Sequence, residues 1–301
     1  MGAVGLSLAV CLQAAGKQVQ AVRIKAASPR RRELVTLHGP AGTLQEELPF
    51  TSLSELGSLR GTLVLTTKAH ANAALAAELA TKAAGCSLVV MQNGLGIETP
   101  FLEASFEHVH RCVLYVTAQK YSDTEVLFRP IRASPIGVLG GDASRLAACV
   151  DHLSTPPFPF RLEPNISGEV WRKTIVNCAF NSLCPLLDVD NGIFARDSCA
   201  LDLACQIVRE CLHVARREGA DLSEESIVEQ ILQISRGSDG VPISTLQDLR
   251  LGRETEIEHL NLEVARRGSS HHPKLVVPLT ELSGRLVAMK ARILKRYGPA
   301  S

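Results

Sequence analysis

The runs Thr62-Leu63-Val64-Leu65 and Leu88-Val89-Val90-Met91 constrain the fold of this chain more than any other feature. A strand with one wet face alternates apolar and polar residues. A strand that is apolar at successive positions is buried on both faces, as in a parallel sheet covered by helices. Gly61 to Thr67 and Ser87 to Met91 therefore read as continuous buried strands, and Gln18 to Ile24 as a shorter one. Covering helices are legible at Gly5 to Ala15 and in the alanine-rich stretch Ala71 to Ala84. Strands separated by helices predict a doubly wound α/β domain. Arg111 to Ala118 and Ile136 to Leu139 add later strands, expected to be antiparallel because little chain separates them.

Thr155-Pro156-Pro157-Phe158-Pro159 cannot lie inside a regular element, and a domain boundary is placed just after it. The expected division is an α/β domain over 1–163 and an all-helical domain over 164–301, with helices at about 168–184, 199–218, 223–236, 244–266 and 275–296. A chain of 301 residues accommodates two such domains. The formal net charge of +1 argues against a nucleic-acid partner. No apolar run reaches the roughly 18–20 residues of a membrane span. No basic region precedes the apolar stretch Leu6 to Leu12, which argues against a signal peptide. Nine cysteines, an odd count without a C-x-x-C pair, suggest reduced and mostly buried thiols in a cytoplasmic protein, and no metal site is expected.

An open α/β sheet binds its ligand at the carboxyl ends of its strands. Three such ends are legible. Gly2-Ala3-Val4-Gly5 looks like the later part of a G-x-G-x-x-G loop opening a helix, where backbone N–H groups meet a pyrophosphate. An ordinary Gly-rich turn accounts for the same residues. The end of the Gln18 to Ile24 strand, after Val22, carries Arg23 and Lys25 and then Arg30-Arg31-Arg32 rather than an acid. That basic end favours the 2′-phosphate of NADP, or is a solvated loop. Lys68 and Asn93 stand where the two buried strands stop.

In the helical half, Lys173, Asn177 and Asn181 fall at i, i+4 and i+8, within about 80° of one helix face. Val176, Ile175, Cys178, Ala179, Phe180 and Leu183 cover most of the rest. A helix of this kind is buried in protein and presents one cation and two amides to an enclosed site. A positioned ammonium can polarise and protonate a carbonyl. Read as helix, 244–266 buries Ile257, Leu260 and Val264, puts Glu256 at the edge of that stripe, and turns Glu258 away. Ser244 opens the segment as a helix cap or as a ligand contact.

These residues together resemble the ketopantoate reductase family. The resemblance runs in order over nearly the whole chain. It comprises the end of the Gly-rich loop, Thr67-Lys68, Gln92-Asn93-Gly94-Leu95-Gly96, Glu169-Val170-Trp171-Arg172-Lys173 with Asn177 and Asn181, Ser244-Thr245-Leu246-Gln247-Asp248, and Arg253-Glu254-Thr255-Glu256-Ile257. It implies an N-terminal Rossmann-like domain, a C-terminal helical domain, and an active site in the cleft. The implied reaction is NADPH-dependent reduction of 2-ketopantoate to pantoate, on the route to pantothenate. Carried over by motif, Lys173 resembles the general acid and Glu256 the residue that binds the substrate hydroxyl. Asn177, Asn181 and Ser244 resemble substrate contacts. Gly2, Ala3, Gly5, Arg23, Lys25, Lys68 and Asn93 resemble groups on the cofactor side. A small-molecule 2-oxo acid is the implied partner, and a homodimer is admitted.

Against the family pattern, Met1 falls inside the Gly-rich loop, so the first Rossmann strand and first glycine are expected to be missing. Four or five buried apolar side chains of such a strand are worth roughly 6–15 kcal/mol. Two neighbouring strand edges and one wall of the cofactor site would be left open. Three readings stand beside one another: a ketopantoate reductase whose natural chain is longer, a reductase of another 2-oxo acid, and a non-catalytic binding or scaffold member that has lost efficient NADPH binding.

Overall fold

The computed structural model describes residues 1–24 and 31–298. Lys25 and Arg30, two members of the basic stretch, lie outside the described residues. The chain divides into two compact units, one of 1–92 with 97–166 and one of 93–96 with 167–301.

The first unit is α/β. In chain order it holds α1 (Ala3–Ala14), β1 (Ala21–Arg23), β2 (Arg31–Gly39), β3 (Gly42–Ser52), β4 (Thr62–Leu65), α2 (Asn72–Ala80), β5 (Ser87–Val90), α3 (Thr99–Glu103), β6 (His108–Cys112), β7 (Val116–Lys120), β8 (Glu125–Pro130), β9 (Ser134–Gly140), α4 (Ser144–Leu153) and β10 (Phe160–Leu162). These strands form two five-stranded sheets, ordered β1-β3-β2-β8-β7 and β10-β9-β6-β5-β4. β4, β5 and β6 run parallel, and β9 closes antiparallel on β6. The antiparallel expectation for the later strands holds there.

β5 is buried at all four positions, as its apolar run requires. β4 departs from expectation. It is the outermost strand of its sheet, so only Leu65 is fully buried and Thr62, Leu63 and Val64 are half-buried. β1 is likewise outermost in the other sheet. The strand expected over Arg111 to Ala118 is two strands in different sheets. Residues 113–115 cross between them, with Val113 N–H donating to Pro135 O at 3.0 Å and Tyr115 N–H to Ser134 Oγ at 3.0 Å. The segment 31–52, unassigned from sequence, is a long hairpin. It pairs Arg31 with Phe50 through to Gly39 with Gly42.

α1 is buried from Gly5 through Leu12 and packs in one core with Val35, Leu37, Leu48, Phe50, Val126 and Phe128. Its approach to the end of β4 depends on Gly5, because a Cβ there would lie 2.5 Å from Thr66 Oγ1. The other side of the α/β unit has its own core, in which α2 and α3 contribute Leu75, Leu79 and Phe101 against Leu88, Val90 and Val109.

The second unit is helical: α5 (Ile166–Leu187), α6 (Ile193–Arg196), α7 (Ser198–Arg217), α8 (Glu224–Gly237), α9 (Ser244–Arg250), α10 (Asn261–Ser270) and α11 (Pro278–Tyr297). Its core joins Trp171, Ile175, Cys178, Ala179 and Phe180 of α5 to Ile207, Val208 and Cys211 of α7 and to Leu260 and Val264. The single helix expected over 244–266 is broken. α9 ends at Arg250, Gly252 takes φ +62°, and Arg253 N–H turns back to Asp248 O at 2.8 Å. A three-residue 3-10 turn, 257–259, precedes α10. Among the described residues, no helix is long and apolar enough to cross a membrane.

Candidate active site

α5 carries three of the candidate residues of the helical unit, Lys173, Asn177 and Asn181. Its Thr174, Ile175, Val176, Cys178, Ala179 and Phe180 are buried, whereas Arg172, Lys173 and Asn177 are half-buried. This is the narrow polar stripe expected from sequence: apolar packing fixes the helix and leaves Lys173 and Asn177 at its edge. Asn181, one turn further on, is only 3% exposed. Its Oδ1 accepts from Thr245 Oγ1 at 2.7 Å and from Ser244 Oγ at 3.3 Å. Ser244 is thus the first residue of α9 rather than its cap; the cap position is Ile243 and carries no side-chain bond. Ser244 and Asn181, named separately from sequence, are one hydrogen-bonded pair. Thr245, which sequence reading did not single out, makes the shorter bond.

Glu256 does not sit on a helix. It immediately precedes the 3-10 turn, half-buried, with Ile257 buried beneath it and Glu258 exposed. The burial order expected along this segment survives the loss of the helix, because Ile257, Leu260 and Val264 remain core residues. Asn93 Nδ2 donates to Glu256 Oε2 at 3.2 Å. Asn261 Nδ2 donates to Cys178 O at 3.2 Å, tying the start of α10 to α5 beside Asn177.

The α/β unit holds Gly2, Ala3, Gly5, Arg23 and Lys68. Gly2 is the N-cap of α1, Ala3 its first residue, and Gly5 lies in its first turn. The first amides of a 12-residue helix have no intrahelical partner, so they can meet a phosphate. Lys68 is half-buried after β4, at the start of the 3-10 turn Ala69–Ala71. Beside it lies a buried amide network that sequence reading missed. Asn72 and Gln92 exchange hydrogen bonds of 2.9 and 2.7 Å, Gln92 Nε2 donates to Thr67 Oγ1 at 3.1 Å, and Asn72 Nδ2 donates to Ile97 O at 2.7 Å. Gln92, in the Q-N-G-L-G run, and Thr67, beside Lys68, carried a signal; Asn72 did not. The network holds the carboxyl ends of the parallel strands β4 and β5 in register with each other.

Arg23, at the end of β1, is engaged. Its guanidinium donates to both carboxylate oxygens of Glu33, at 2.9 and 2.8 Å, and lies 4.1 Å from the centre of the Phe50 ring. Arg31 contacts the same carboxylate. The Arg23 hydrogen bonds lead in holding the Glu33 carboxyl below its usual range. A guanidinium edge matched to a carboxylate is largely neutralised and offers a 2′-phosphate only its remaining N–H donors, at reduced net charge.

An α/β unit whose first helix opens on glycines, followed by an all-helical unit bearing a lysine and amides on a buried helix, defines a two-domain protein of the Rossmann type. Two models of one family match the chain: Ketopantoate reductase PanE/ApbA over residues 1–140 and its C-terminal domain over 165–291. The chain belongs to the ketopantoate reductase family. It is 27% identical over 236 residues to a 2-dehydropantoate 2-reductase of Halobacterium salinarum, covering 76% of each chain. It is 29% identical over 282 residues to that of Vibrio cholerae, covering 90% of this chain and 89% of the other. Among solved structures, D-mandelate dehydrogenase with NADH and anilino(oxo)acetate superposes with a TM-score of 0.84 at 21% identity, covering 97% of this chain and 96% of that one. A dimeric ketopantoate reductase from Staphylococcus aureus gives 0.80 at 21%, with the same coverage. At these identities the two structures speak to the fold.

Proposed function

We propose that this protein reduces 2-ketopantoate to pantoate with NADPH. The observation that supports this reading most is Lys173, half-buried with Asn177 on α5 among the buried Ile175, Val176, Cys178, Ala179 and Phe180, within the region that the family's C-terminal model matches. A bound nicotinamide would supply the hydride. Lys173 stabilises the negative charge that builds on the ketone oxygen and donates a proton to it. Asn177 orients the lysine or the 2-oxo acid without adding a competing charge. Glu256 accepts a hydrogen bond from the substrate hydroxyl. Ser244 and Asn181 complete the substrate side, with Asn181 acting chiefly by holding the start of α9. Gly2, Ala3 and Gly5 would hold the pyrophosphate at the α1 N-terminus, and Lys68 and Asn93 complete the cofactor side.

Fit to the dinucleotide rests on two observations. Gly5 lets α1 lie against the end of β4, which suits a pyrophosphate. Arg23 suits a 2′-phosphate less well while Glu33 neutralises its charge. That pairing favours a second reading in which NADH serves as well as NADPH. Titrating the protein with each dinucleotide decides between them, and absence of binding to either would support the non-catalytic reading. The reaction itself is tested by following NADPH oxidation with ketopantoate. Replacing Lys173 with Ala is expected to lower kcat by about 10²–10⁴-fold. Turnover equal to that of the parent would remove Lys173 from the acid role. A higher kcat/KM on another 2-oxo acid would reassign the substrate. Sedimentation tests self-association as a homodimer.

A further inference from the structure

We propose that the tetrapeptide Asn93-Gly94-Leu95-Gly96 positions the Glu256 carboxylate and thereby sets recognition of the substrate hydroxyl. The proposal rests on the reading of Glu256 as the hydroxyl-binding residue. These four residues follow β5 in the chain yet pack within the helical unit. Leu95 is 3% exposed and is part of that unit's core with Trp171 and Leu260. Its N–H donates to His259 O at 2.8 Å. Gly94 takes φ +104°, and a Cβ there would come within 2.6 Å of both His259 Cβ and His259 O. No side chain fits, and the φ itself is costly for any residue but glycine. Gly96 also takes a positive φ, +68°, with Glu263 Oε1 at 3.0 Å from its would-be Cβ.

His259 is the far end of the turn that Glu256 begins. His259 N–H donates to Glu256 O at 3.0 Å, so the carbonyl of the same residue held by Leu95 is two bonds of backbone from the donor that fixes Glu256. A 3-10 turn of three residues has poorer hydrogen-bond geometry than an α-helix and too few bonds to hold its own shape. The tetrapeptide supplies what the turn lacks: a backbone bond at His259, a close steric stop at Gly94, and the Asn93 amide on Glu256 Oε2 at 3.2 Å. Backbone and side chain of the acid are fixed from the same strip of chain. A carboxylate held in this way meets a hydroxyl in one orientation, which is how a site discriminates for a polar group rather than merely tolerating it.

The test compares two ligands that differ only in that group. Ketopantoate carries the hydroxyl, and 3,3-dimethyl-2-oxobutanoate is the same acid without it. Binding of each to the intact protein is measured by ligand-observed NMR titration, with no cofactor added. In the parent, ketopantoate should bind more tightly. Glu256→Gln and Gly94→Ala should each cut the preference about tenfold while leaving affinity for the deoxy acid within about twofold. Asn93→Ala, which leaves the backbone alone, should cut it about threefold, so the proposal stays testable if Gly94→Ala fails to fold. A merely structural role would weaken both ligands alike. Loss of preference in Glu256→Gln, with Gly94→Ala and Asn93→Ala like the parent, would overturn the positioning role alone. An unchanged preference in Glu256→Gln would overturn the hydroxyl assignment and the proposal with it.

Discussion

At the residue scale, two buried polar side chains carry consequences of opposite kind. His110 on β6 is fully buried, and among the described residues neither ring nitrogen has a hydrogen-bond partner. Burial, followed by the nearby His108, pushes its pKa below the ordinary 6.5. Above pH 6.5 the ring is neutral in folded and unfolded chains alike. Below it, the unfolded chain takes up a proton that the folded chain resists, so stability falls on acidification from about pH 6.5. Urea midpoints at pH 7.5 and 5.5 should show this fall, and His110→Leu should reduce it; an undiminished fall would place its origin elsewhere. Asn181 is the satisfied counterpart. Truncating it to Ala leaves the buried Thr245 hydroxyl without the acceptor at 2.7 Å. A loss of about 1–3 kcal/mol in urea unfolding is expected. Lys173 and Asn177 could be read from sequence because apolar neighbours leave them conspicuous on a helix wheel. The contacts of Thr245 with Asn181, Asn72 with Gln92 and His259 with Leu95 could not, because each joins residues at least 20 positions apart.

At the element scale, the ends of helices decide more than their middles. α4 ends without a glycine cap, at Ser154 in extended conformation. Lys17 serves instead: its ammonium donates to Asp151 O at 2.6 Å, His152 O at 3.0 Å and Ser154 O at 2.9 Å. A cation on the last carbonyls satisfies orphan acceptors and opposes the helix dipole. Lys17→Met should therefore cost about 1–2 kcal/mol, read as a lower urea midpoint with unchanged slope. Gly5→Ala tests the packing of α1. The added methyl would meet Thr66 Oγ1 at 2.5 Å, and overpacking of this kind costs about 1–3 kcal/mol. Helix existence was legible for α5, α7, α8 and α11 because each carries a sustained apolar stripe. The break between α9 and α10 was not. The apolar period runs straight through Ile257, Leu260 and Val264, and the interruption comes from a turn closed between Asp248 and Arg253.

At the scale of the whole molecule, each unit has its own apolar core, and each carries some of the residues proposed above for cofactor and substrate. Gly2, Gly5, Arg23 and Lys68 belong to one, and Lys173, Asn181, Ser244 and Glu256 to the other. A dinucleotide that binds only the folded protein raises its stability by about 2.7 kcal/mol at a hundred times its Kd. Thermal shifts with NADPH and NADH at matched concentrations should show which is bound more tightly. Glu33→Gln should move that preference toward NADPH, since it releases the Arg23 fork from a competing carboxylate. An unchanged ratio would remove Arg23 from 2′-phosphate recognition.

The sequence by itself determined the class of architecture and the acidic, cationic and amide groups on offer. Burial periodicity and strand-end chemistry are local properties, and they were read at β5, at α5 and at Gly2 to Gly5. Only the tertiary structure decided which of those groups meet. It paired Asn181 with Ser244, Asn93 with Glu256 and Arg23 with Glu33, split one expected strand between two sheets, and set β4 at an edge. Each outcome depends on where distant segments stop and turn. Hydrogen bonds between residues as far apart as 93 and 256 leave no periodic trace in the chain that makes them.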